Sequence, residues 1–344
     1  MENKLLRLLR EKQTLLIDGA TGTNLFSLGL QSGDSPEFWN IDFPDRVAIH
    51  YRSFIDAGSD IVLTNTFGGN RYRLHLHDAA DRVTEFNRAG AQILVKEISA
   101  SGRTIVVAGS MGPTGEIFAP AGLMTIEEGE AAFEEQAIAL KEGGADVIWI
   151  ETLSSIEECQ AAVKGASIAG LPIVLTLSVE TNGRTMMGVT PSDLVSLQTD
   201  LPVPLIAYGT NCGLGAAEVV AAVINMKQAA ELASVEPILV AKGNCGIPEW
   251  VDGKICYSGT PELMASYALF ARDARISIIG GCCGTTPAHV AAMSAALATR
   301  PAGTLDTDAM QAVLGTPWAD VQVPASADGD NAGDAGRRGR CRRS

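Results

Sequence analysis

Eight short β-branched runs, followed mostly by amphipathic helical patterns, restrict this sequence to an alternating α/β architecture. The runs span residues 15–20, 61–67, 104–110, 147–152, 172–179, 205–212, 237–244 and 276–282. Helical patterns fill 45–57, 79–99, 125–142, 155–168, 216–232 and 261–273, and 287–299 closes the series. Thr125 with Glu128 reads as a capping box, and Thr190-Pro191, Thr260-Pro261 and Thr286-Pro287 each set a cap before a first-turn proline. Eight such units over roughly 290 residues have the size and order of a (β/α)8 TIM barrel. An open doubly wound sheet uses the same alternation, but only a closed barrel gathers strands one, two, six and eight around one mouth.

The strand ends carry the chemistry. Asp18, Asn65, Ser110, Glu151, Cys212, Asn244 and Cys282 all fall at predicted C-terminal ends, where such barrels build their active sites. Glycines such as Gly19, Gly68, Gly112 and Gly213 crowd the same loops, where bare backbone can approach a small ligand. Within Gly280-Gly281-Cys282-Cys283-Gly284, two adjacent thiols end an apolar strand, which packing explains poorly. Cys212 ends another strand, and closure would bring the three thiolates to one tetrahedral ion. Three protein ligands with one open position describe a catalytic Zn2+ site, since structural sites are closed by a fourth ligand.

Composition narrows the setting. A chain of 344 residues with 46% hydrophobic and 5% aromatic content can bury a large aliphatic core. No apolar stretch approaches the roughly 18 residues of a membrane span, and the charged start, residues 1–12, is unlike a secretory leader. A cytoplasmic location is expected. Seven cysteines without paired spacings argue against a disulfide framework, and a net charge of −14 disfavours nucleic acid and anionic membranes as partners. Residues 1–300 are expected to form the barrel, 301–324 an extension, and 325–344 a disordered, arginine-rich tail.

Six motifs in order resemble the zinc-dependent homocysteine S-methyltransferases: Asp18-Gly19-Ala20-Thr21-Gly22-Thr23, Thr64-Asn65-Thr66-Phe67, Gly109-Ser110-Met111-Gly112-Pro113, Glu151-Thr152, Asn211-Cys212-Gly213 and Gly280 through Pro287. The resemblance covers about residues 13–300. Bacterial betaine-homocysteine methyltransferases are the most similar branch, including in Lys242-Gly243-Asn244-Cys245-Gly246-Ile247-Pro248 and the arginine-rich end. It implies that Cys212, Cys282 and Cys283 hold zinc and that homocysteine sulfur takes the open position. A free thiol of pKa about 8.5 is mostly protonated at neutral pH, whereas coordination ionises it outright. Methyl transfer to form methionine is then an in-line displacement needing no general base. By resemblance and position, Asp18 and Glu151 are expected to hold the homocysteine ammonium beside Gly19. Backbone and hydroxyl donors around Ser110 to Gly112 are expected to hold its carboxylate.

The methyl donor is less constrained. A quaternary or sulfonium donor sits against aromatic faces. Phe26, Phe38, Trp39, Phe67, Phe118 and Tyr208 stand near the predicted mouth, with Trp39 and Phe67 the expected cage. Betaine, giving dimethylglycine, is the expected donor. Yet Gly68 and Thr152 replace tyrosines that the animal betaine enzymes carry at the metal and the donor. One alternative is S-methylmethionine or another sulfonium; another is the homocysteine-binding subunit of a split cobalamin-dependent methionine synthase, served by a separate corrinoid protein. A zinc or thiol sensor would use the same cysteines without turnover. Cys159, Cys256 and Cys341 read as inert thiols, and Cys245 faces either the mouth or the core. His75 and His77 have metal-like spacing but would point about 200° apart on a helix, so they read as surface groups. Asn182-Gly183 signals a hairpin turn, placing a small flap over residues 179–189.

Overall fold

A computed structural model of the protein describes residues 3–246, 248–251 and 254–318. Its strands are β1 (Leu15–Leu16), β2 (Ile61–Leu63), β3 (Val106–Met111), β4 (Val147–Leu153), β5 (Ile173–Ser178), β6 (Ala207–Cys212), β7 (Leu239–Gly243), β8 (Pro248–Val251), β9 (Lys254–Tyr257) and β10 (Ile278–Gly281). Eight of them form one parallel sheet in the order β1-β10-β7-β6-β5-β4-β3-β2. Ile17 bridges Ile61 across the remaining gap, with Asp60 N donating to Leu16 O at 2.7 Å and Asp18 N to Ile61 O at 3.2 Å. That closure makes the sheet a (β/α)8 barrel.

Strand alternation sorts the core into two layers. Inward positions Leu15, Ile17, Ile61, Leu63, Val106, Ala108, Val147, Trp149, Val174, Val240 and Ile278 fill the barrel, while outward Leu16, Val62, Val107, Ile148, Leu175 and Ile279 pack under the helices. The helix Lys4–Lys12 was not foreseen from its charged sequence. It presents Leu5 and Leu8 to the inner cluster, and Asn3 caps it at 2.7 Å. The capping box at Thr125 is present, and Thr190, Thr260 and Thr286 precede helices that begin at Pro191, Pro261 and Pro287.

Differences from the sequence reading are local. β1 and β2 are shorter than the runs 15–20 and 61–67, because residues beyond them leave the ladder to hydrogen-bond through side chains. Leu63 N donates to Asp18 Oδ2 at 2.8 Å, and Thr66 Oγ1 to Ser110 O at 2.7 Å. Asn182 does sit in a left-handed turn at φ 60°, but among the described residues no strands flank it. Thr185 Oγ1 donates instead to Ser154 O at 2.6 Å, tying that loop to the end of β4. An antiparallel hairpin, β8 with β9, was missed between β7 and the next helix. The helix Thr307–Leu314 buries Met310 in the outer core. The tail 325–344, with its arginines and Cys341, lies outside the described residues. No described helix is long and apolar enough to cross a membrane.

Candidate metal centre and substrate cavity

The inward face changes character within two residues of the strand ends. Ala108, Trp149, Val174 and Val240 lie one step below Ser110, Glu151, Thr176 and Lys242, so an apolar layer gives way to a buried polar one. Above it stand the cysteines. Cys212 ends β6, and Cys282 and Cys283 follow β10 on the far side of β7. Sγ of Cys282 lies 3.4 Å from that of Cys212, and Cys283 lies 3.6 Å from Cys212. All three sulfurs fall within 4.8 Å of one another, the one such cluster among the described residues. A tetrahedral ion with zinc–sulfur bonds of about 2.3 Å separates its sulfurs by roughly 3.8 Å, so these residues fit that metal.

Local backbone makes the convergence. Cys212 and Gly213 both have positive φ, 59° and 69°, turning the chain sharply as β6 ends. Cys283 N donates to Asn244 Oδ1 at 3.0 Å, and Asn244 Nδ2 donates to Gly213 O at 2.7 Å, so one amide joins both cysteine loops. Asn211 is wholly buried and braces the other side. Its Oδ1 accepts from Thr176 Oγ1 at 2.6 Å and Thr152 N at 2.9 Å, while Nδ2 donates to Thr152 Oγ1 at 2.7 Å and approaches Cys282 Sγ at 3.7 Å. Hydrogen bonds from Cys212, Cys282 and Tyr257 pull the Cys283 thiol well below its ordinary range, and the same sharing pushes Cys212 up. The sharing thus favours a single thiolate at Cys283, while the Cys282 thiol, like that of Cys212, is pushed up.

Below the sulfurs lies a charged floor. Glu151 accepts from Ser110 Oγ at 2.7 Å through Oε1 and from Lys242 Nζ at 3.0 Å through Oε2. Lys242 is 2% exposed, and although burial opposes its charge, Glu151 and Asp18 hold it above the usual lysine range. Asp18 is wholly buried; burial pushes its carboxyl up to about 7 against the pull of Lys242, and Oδ1 has no partner. Lys242 was missed as a site residue. Its signal was a charge at the inward phase of an otherwise apolar strand.

A cavity of about 420 Å³ opens over this floor, lined by the three cysteines, Glu151, Lys242, Ser110 and Gly19. Gly19 is pressed against the loop after β10, where a Cβ would meet Thr285 O at 2.5 Å. The donors expected to hold a carboxylate are already engaged: Ser110 N donates to Thr64 Oγ1, Ser110 Oγ to Glu151, and Gly112 N to Phe67 O. Ser110 therefore serves Glu151. Phe67 and Phe26 line the outer cavity with Gly68 and Thr152. Trp39 does not; it is 4% exposed in the outer core, against Phe43 and under Arg46, because its short helix turns the indole inward. Phe118 and Tyr208 are likewise core residues. Of the two histidines set aside, His77 lines the cavity rim. The Cys245 thiol is not one of the three clustered sulfurs, lying 3.2 Å from both Gly259 O and His289 Nε2, although its backbone N donates to Cys283 O at 2.9 Å; Cys159 is a core thiol.

A family model described as homocysteine S-methyltransferase matches residues 15–297. The chain belongs to the homocysteine S-methyltransferase family. The three-cysteine cluster is its candidate metal centre. Among curated relatives, the methionine synthase of Mycobacterium tuberculosis is 32% identical over 303 residues, covering 83% of this chain and 25% of that protein. The methionine synthase of Mycobacterium leprae is 30% identical over 310 residues, covering 86% and 25%. The chain thus spans about a quarter of the length of these relatives. The metallated form of the homocysteine methyltransferase MmuM from Escherichia coli shares the fold at a TM-score of 0.71 and 23% identity, covering 85% of this chain and 99% of that one.

Proposed function

We propose that this protein is a zinc-dependent homocysteine S-methyltransferase forming methionine, with betaine as methyl donor. The convergence of three cysteine sulfurs at the barrel mouth carries the reading. Cys212, Cys282 and Cys283 would hold the ion, and a metallated relative of the same fold supports that chemistry. Bound zinc would keep the homocysteine sulfur ionised at neutral pH. The chain's own residues bind and orient. Glu151, fixed by Ser110 and Lys242, and Asp18 behind it offer buried negative charge to the substrate ammonium. Phe67 and Phe26 on the cavity wall offer aromatic faces to a cationic donor. The sulfur attacks a donor methyl; the S–C bond forms as the N–C bond breaks, and its electron pair stays on nitrogen, releasing dimethylglycine as an uncharged amine.

A second reading has its own support. Trp39 is absent from the cavity, which leaves a two-phenylalanine cage, and the curated relatives are methionine synthases of which this chain matches only 25%. On that reading a separate corrinoid protein delivers the methyl group to this barrel. Zinc-loaded protein assayed with homocysteine and a donor panel separates the two. Betaine should yield methionine and dimethylglycine in equal amounts. Failure of betaine and sulfonium donors, with turnover restored by a methylated corrinoid protein, would replace the betaine reading by the second.

A further inference from the structure

Lys242 is a costly residue to bury, and nothing in barrel closure requires it. One layer below, the same strand fills the same inward position with Val240. In register with Asn211 of β6 and Gly280 of β10, Lys242 reaches across the barrel to Glu151 Oε2 at 3.0 Å, and Nζ lies 6.0 Å from the Trp149 ring centroid. Apolar replacement of a buried ion pair is often neutral or stabilising, so a buried pair is weak testimony to stability alone. This one lines the substrate cavity.

Charge counting shows what the lysine changes. Once pH exceeds the value of about 7 to which burial raises the Asp18 carboxyl, Asp18 and Glu151 together carry two negative charges in a buried site, and Lys242 reduces the sum to one. Homocysteine brings one ammonium. A floor of −1 is neutralised by that group; a floor of −2 would leave a carboxylate unpaired, and a floor of 0 would set Lys242 against the incoming cation. We propose that Lys242 is a positioning residue for homocysteine, holding Glu151 by one oxygen and trimming the acidic floor to the single net charge that one α-ammonium matches. This assignment rests on the homocysteine reading above and adds a residue to it.

The test is a double-mutant cycle read by calorimetric homocysteine affinity on zinc-loaded protein, and by methionine affinity on zinc-free protein. Methionine carries the same ammonium without a thiol. Glu151→Gln sets the floor to 0, Lys242→Met sets it to −2, and the double variant returns it to −1. Each single variant should weaken binding about tenfold or more, with zinc content unchanged. The double variant should return to within roughly threefold of wild type, a coupling that independent sites would not show. A double variant no tighter than the weaker single, or a Lys242→Met protein binding as well as wild type, would overturn the assignment. If Lys242→Met fails to fold, rescue of Glu151→Gln by the second substitution decides alone. Absence of homocysteine binding by wild type would bring down the functional reading itself, and this assignment with it.

Discussion

Asn211 ties the ends of β4, β5 and β6 together beside the sulfur cluster, and Asn211→Ala should show it. Truncation removes the acceptor for Thr152 N at 2.9 Å and Thr176 Oγ1 at 2.6 Å, and the donor to Thr152 Oγ1 at 2.7 Å. Thr176 is wholly buried, so its hydroxyl is orphaned away from water; Thr152, at φ 69°, loses the bonds that hold its unusual backbone. Two stranded donors at about 1–3 kcal/mol each give a loss of about 3 kcal/mol or more. For a barrel of this size that is a fall in Tm of roughly 5 °C. Zinc affinity, measured by chelator competition, should fall as well, because Asn211 carries Cys212 and braces Cys282. Asn211→Asp separates the two effects: it keeps the acceptor oxygen, so stability should be largely retained, yet it sets a carboxylate beside the Cys282 sulfur and should weaken zinc. A Tm for Asn211→Ala within about 2 °C of wild type, with unaltered zinc affinity, would refute the bracing role.

Cys282→Ala and Cys283→Ala should each lose most bound zinc and methionine formation while keeping the far-ultraviolet circular dichroism of the barrel; stoichiometric zinc in both would remove the cluster as the metal site. A pH effect is expected far from the cluster, at His50, which is 2% exposed with Nε2 unpartnered. Burial lowers its pKa from 6.5 to about 4. Between those values the unfolded chain binds a proton that the folded chain refuses, so stability should decline as pH falls across that window, by about 3 kcal/mol in total. His50→Gln should lose this one-proton slope in denaturant titrations at several pH values, and an unchanged slope would show that His50 is not its source.

Periodicity made the barrel legible because parallel strands buried on both faces leave long β-branched runs, and N1 prolines marked the helices that follow. The sulfur cluster was legible for a different reason: adjacent thiols at a strand end have few structural uses. What stayed hidden depended on pairing across the barrel. Lys242 and Glu151 are 91 positions apart and meet only after closure. Ser110 resembled a free donor until its hydroxyl was found on Glu151. Trp39 misled because sequence proximity to a mouth loop does not say which face of a one-turn helix its indole takes.

The central claim is that three cysteines hold zinc with a fourth position for homocysteine sulfur, and zinc K-edge X-ray absorption on the loaded protein tests it most directly. Zinc bound by Cys212, Cys282 and Cys283 should show three sulfur neighbours at about 2.3 Å and one lighter atom, changing to four sulfurs when L-homocysteine is added. A sulfur count that does not rise with homocysteine, or that falls below three in its absence, would contradict the account.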